Sequence, residues 1–77
     1  MSEQEWLRTF SRNLSCMMRE QGMNQADLAE EAGISRAALC KYLRGERMPK
    51  ITAVINLADA LYCDIRDLVD FNERIEF

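Results

Sequence analysis

Apolar side chains return every three or four positions through the first part of the chain, at Trp6, Leu7, Phe10, Leu14, Met17 and Met18. That spacing puts them on one side of a helix and predicts an amphipathic segment from about Ser2 to Gln21. Gly22 stops it, because glycine accepts the left-handed conformation that closes a helix. A second segment opens on Asn24, a good N-cap, carries Asp27 in its first turn and ends at Gly33. Its apolar face is Leu28, Ala29 and Ala32. A third is capped by Ser35 and stopped by Gly45, with Ala38, Leu39, Tyr42 and Leu43 as the side to bury. Glu46 to Pro49 reads as a loop, since proline disfavours helix at the residue before it. A fourth helix is expected from about Ile51 to Leu61, with Ile51, Val54, Ile55, Leu57, Ala58 and Leu61 apolar. Asp64 then caps a short fifth containing Ile65, Leu68 and Val69. No strand of useful length precedes the tail, so the expectation is an all-α domain over residues 1–70, followed by a tail, 71–77.

The second and third segments are joined only by Gly33, Ile34 and Ser35. So short a turn keeps the helices from lying antiparallel, and they must cross steeply, with Ile34 available to plug the angle. The third helix then projects with its apolar side inward and Arg36, Ala37, Cys40, Lys41 and Arg44 outward. This is a helix-turn-helix, whose second helix is suited to the major groove of DNA, about 12 Å wide.

Charge sharpens the picture. The chain of 77 residues has a net charge of −3, yet residues 36–50 hold Arg36, Lys41, Arg44, Arg47 and Lys50 against Glu46 alone. That stretch sums to +4 and the rest to −7. A local basic patch attracts phosphate, while the acidic remainder limits indiscriminate binding. Arg36 stands near a helix N-terminus, where the dipole disfavours a cation. Its guanidinium can pair bidentately with O6 and N7 of guanine. A merely solvated basic face is the alternative.

Other chemistry finds little footing. Histidine is absent, and Cys16, Cys40 and Cys63 are scattered without a CxxC pair, which suits free thiols in a reducing cytoplasm. No cofactor, metal, catalytic residue or small-molecule substrate is expected. No apolar run approaches the ~18 residues of a membrane span. Met1 to Arg8 includes Glu3 and Glu5 and lacks an apolar signal segment, so a cytoplasmic location is expected.

The stretch from Phe10 to Val69 resembles the phage-repressor-like helix-turn-helix family, the lambda-repressor fold also called XRE. The resemblance rests on Gly22-Met-Asn-Gln-Ala-Asp-Leu-Ala-Glu-Glu-Ala-Gly-Ile-Ser35, then Leu39, Tyr42, Gly45, Pro49 and Leu57-Ala-Asp-Ala-Leu61. It implies a compact five-helix lambda-repressor-like domain acting as a transcriptional regulator, usually a repressor, that binds double-stranded DNA as a homodimer. It implies base contacts from Ser35, Arg36, Ala37 and Lys41. Ala37 is suited to a thymine methyl, or is simply a small surface residue. It implies phosphate contacts from Asn24 and Gln25 at the start of helix two, and from Arg44, Arg47 and Lys50. Free N–H groups at a helix N-terminus favour an anion there.

Two positions depart from the family pattern. Members often pair an Arg late in helix one with a Glu near the end of helix three; here Met18 and Leu43 occupy those places, and an apolar contact is expected instead. Tyr62 stands where Gly is common, so a left-handed turn there would strain it. The tail carries Phe71, Ile75 and Phe77, which could extend helix five, form a strand, make a dimer contact or fray. The overall acidity and apolar tail leave open a second class of function, a protein-interaction or antitoxin-type module on the same fold.

Overall fold

The computed structural model describes residues 2–69, and the tail lies outside them. Its helices are α1 (Glu3–Gln21), α2 (Gln25–Ala32), α3 (Arg36–Arg44), α4 (Ile51–Ala60) and α5 (Ile65–Val69). No strand is present among the described residues.

The helix ends explain the boundaries. Ser2 Oγ accepts from Glu5 N at 3.1 Å, Asn24 Oδ1 from Asp27 N at 2.8 Å, and Ser35 Oγ from Ala38 N at 3.0 Å. Each satisfies one of the N–H groups that a helix start leaves without a partner. Asp64 Oδ1 accepts from Arg66 N at 2.9 Å, and Asp67 Oδ2 reaches back to accept from Asp64 N at 3.1 Å. That reciprocal cap lets a helix of 5 residues persist. At the other ends, α1, α2 and α3 close on Gly22, Gly33 and Gly45, all with φ between 65° and 70°. The same pair of bonds closes α4, Tyr62 N to Asp59 O and Cys63 N to Ala58 O, but with Tyr62 at φ 55° in the glycine position. The strained turn anticipated at Tyr62 is present.

α1 packs on α5 and α3, α2 on α3 and α4, and α4 on α5. The centre is Phe10, Leu14, Leu28, Leu39, Leu57, Leu61 and Leu68, all fully buried. Burying each such side chain contributes about 1.5–3 kcal/mol. Trp6 stacks on Phe10 with ring centroids 5.3 Å apart and closes the core from α1. Met18 is buried in this cluster and Leu43 packs against it, so apolar groups stand where the family pattern has an ion pair. Two polar side chains tie helices together: Ser11 Oγ donates to Tyr42 O at 2.6 Å, and Asn13 Nδ2 donates to Leu68 O at 3.0 Å.

The fourth helix corrects the apolar pattern. Its buried residues are Ala53, Val54, Leu57, Ala58 and Ala60, whereas Ile51 and Ile55 are exposed, at 65% and 45%. At 100° per residue, Ile51 and Ile55 lie beyond the edge of the arc that α2 and α5 cover. Met48, in the loop before α4, is also exposed.

Candidate nucleic-acid interface

α3 packs on α1 and α2. Ala29 and Ala32 of α2 are buried with little bulk, and Ile34 packs against the core from the turn. Leu39 and Tyr42 are buried on the inner side of α3, with Ala38 and Leu43 half-buried at its edges. Arg36, Ala37, Lys41 and Arg44 are exposed. With 3.6 residues per turn they span an arc of about 140°. Cys40, expected to point outward, is only half-buried, because it lies next to the Leu39 and Leu43 edge.

The cations of this face are uncommitted. The ion pair formed among the described residues joins Arg66 and Asp64 at 3.4 Å, far along the chain, and no ion pair among them involves Arg36, Lys41 or Arg44. Arg47 and Lys50 are exposed in the loop and at the start of α4. Glu46 is the sole acid between Arg36 and Lys50.

Asn24, Gln25 and Ser35 are exposed at the starts of α2 and α3. Asn24 and Ser35 are both N-caps, a role that spends an acceptor and leaves donors over. Asn24 keeps its amide N–H groups and Ser35 its hydroxyl hydrogen. A cap can therefore hold its helix and still donate to a phosphate or a base edge. The backbone N–H of Gln25 lacks an intrahelical acceptor by position, which favours an anion at the α2 N-terminus.

One feature escaped the sequence. Gln4, Leu7, Arg8 and Ser11 of α1 line a groove together with Arg44 and Gly45. The signal was Ser11, a small polar residue within the apolar stripe of α1, which lets the end of α3 approach. On another surface, Asp27, Glu30 and Glu31 line a groove with Tyr62. Charge is thus segregated over the molecule. Among the described residues no group of three or more His, Cys, Asp or Glu could hold a metal. No described helix is long and apolar enough to cross a membrane.

A capped helix pair joined by a tight glycine turn, with an exposed cationic second helix, defines a helix-turn-helix domain, the fold of DNA-binding regulators. The helix-turn-helix family HTH_3 matches residues 17–68, and the chain belongs to it. Solved structures agree in fold. The restriction-modification controller protein C.AhdI from Aeromonas hydrophila is 29% identical, with a TM-score of 0.78 over 80% of this chain and 94% of that one. An HTH_3 family transcriptional regulator from Vibrio cholerae is 21% identical, with a TM-score of 0.83 over 87% of this chain and 38% of that one. The hypothetical transcription factor NHTF from Neisseria is 20% identical, with a TM-score of 0.81 over 90% and 79% of the two chains. Among curated proteins there is no match.

Proposed function

We propose that this protein binds double-stranded DNA sequence-specifically in the cytoplasm, with α3 in the major groove, and represses transcription by occupying its operator. The observation that carries the proposal is the exposed face of α3, which bears Arg36, Lys41 and Arg44 and no acid. In this reading Ser35, Arg36, Ala37 and Lys41 meet base edges. Asn24, Gln25, Arg44, Arg47 and Lys50 hold phosphates and set register. The domain proper is residues 1–70.

One recognition helix covers few base pairs, so two copies acting together raise both affinity and selectivity. We propose a homodimer whose half-sites lie about 34 Å apart, one turn of DNA. Exposed Ile51 and Ile55, one turn apart on α4, support a protein contact there. α5, a further candidate dimer surface, buries Leu68 in its own core and leaves Arg66 and Asp67 exposed. The tail residues Phe71, Ile75 and Phe77, a further expected contact, lie outside the described residues.

The same exposed isoleucines also suit a protein-interaction or antitoxin-type module. Titration of a labelled duplex at two salt concentrations separates the readings. Affinity falling steeply with salt, from release of counterions by several cations, is expected for the DNA regulator. Absent or salt-insensitive binding would select the interaction module.

A further inference from the structure

The groove between α1 and the end of α3 adds a cation from outside the helix-turn-helix, Arg8 of α1. Arg8 and Arg44 both line it, with Gln4 as a neutral donor and no acidic side chain in the lining. That is unusual company in a chain of net charge −3. Among the described residues neither arginine has a carboxylate partner. The nearby acid Glu5 is engaged by the Ser2 hydroxyl at 3.3 Å, at the start of α1.

A helix C-terminus ordinarily lends such a groove negative potential. Here two of its carbonyls are occupied. Tyr42 O accepts both from Ser11 Oγ at 2.6 Å and from Gly45 N at 3.1 Å, while Lys41 O accepts from Glu46 N at 2.9 Å. The charged side chains in the lining are the two guanidiniums. Gly45 closes α3 at φ 70°, which brings the end of that helix beside Leu7 and Ser11 of α1. Arg44 belongs to the helix that carries the base-reading residues. A phosphate it holds therefore comes from the same duplex.

We propose that Arg8 and Arg44 together hold the DNA backbone in this groove, making α1 a phosphate clamp beside the recognition helix. The proposal rests on the DNA-binding function argued above. Arg8 is exposed, and its replacement leaves the core untouched.

The test compares wild type, Arg8→Gln, Arg8→Lys and Arg12→Gln on one operator duplex across a salt series. Arg12 is exposed on α1 and does not line the groove. Arg8→Gln is expected to reduce the salt slope by about one and to weaken binding at 0.1 M salt by about eightfold, the counterion release of one contact. Arg8→Lys should retain most of the slope and Arg12→Gln all of it. Ethylation interference supplies a readout that altered folding would not mimic: among the phosphates whose ethylation blocks wild type, one per half-site should block Arg8→Gln markedly less while the others block both alike. Equal losses for Arg12→Gln, or an unchanged ethylation pattern for Arg8→Gln, would overturn the clamp while leaving the regulator intact. A wild type that binds no duplex would instead overturn the function on which it rests.

Discussion

Ser11 Oγ donates a 2.6 Å hydrogen bond to the carbonyl of Tyr42, joining the middle of α1 to the last turn of α3. The bond is buried, and it ties α3 to α1. Ser11→Ala removes the donor, but Tyr42 O keeps its bond from Gly45 N. The expected cost is about 1 kcal/mol, the net worth of a neutral hydrogen bond, measured as a shift in the urea midpoint.

Gly22, Gly33 and Gly45 should tolerate alanine about equally. Gly22 and Gly33 face open space, so alanine there meets only the left-handed backbone penalty of about 1 kcal/mol. At Gly45 the added methyl would lie at ordinary contact distance, 3.4 Å from Ser11 Oγ and 3.9 Å from Leu7 Cγ, so the same penalty applies. Gly45→Ala and Gly33→Ala are expected to lose similar stability in parallel denaturant melts.

Tyr62 offers the opposite opportunity. It is 77% exposed and holds φ 55°, so it contributes little packing to offset its backbone strain. Tyr62→Gly should stabilise the fold by up to about 1 kcal/mol, the relieved strain exceeding the extra chain entropy of glycine. A raised Tm with unchanged duplex affinity is the expected result.

The cap of α5 should make that helix acid-sensitive. The Arg66 backbone N–H, and secondarily its side chain, hold the Asp64 carboxyl below the usual range. A carboxyl with a lowered folded-state pKa stabilises the fold above its unfolded pKa and loses that contribution as pH falls through the folded one. Asp64→Ala should therefore be less stable than wild type at neutral pH, and the gap should narrow in acid below the ordinary carboxylate range. Thermal melts followed by circular dichroism across that window measure it. At the alkaline end, burial, with help from Asp67, Asp64 and Glu20, pushes the Cys63 thiol up. Cys63 should accordingly react with iodoacetamide more slowly than exposed Cys16.

The helix ends were the most legible part of the sequence. Asn24, Ser35 and Asp64 cap through local bonds spanning two or three residues, and the glycines close helices by backbone geometry alone. Such signals need no tertiary context. Ser11 and Asn13 were opaque because their acceptors lie 31 and 55 residues away. Ile51 and Ile55 misled for a related reason: periodicity shows which residues share a face, and only the packing of neighbours shows how wide a face is covered. The cationic side of α3 was legible because leucine and tyrosine on the other side left one way to turn it. The groove holding Arg8 was not, since it depends on where α1 meets α3.

Selection of bound duplexes from a random pool, run in parallel with wild type, Arg36→Ala and Arg47→Ala, tests most directly whether the outer face of α3 reads sequence. Wild type should enrich a palindrome with half-site centres about 34 Å apart. Arg36→Ala should lose preference at one position per half-site, at a cost of roughly 1–3 kcal/mol, while Arg47→Ala should enrich the same palindrome with weaker binding overall. A pool that stays random with wild type, or that yields the same preferences with Arg36→Ala, would contradict the assignment of α3 as the reading helix.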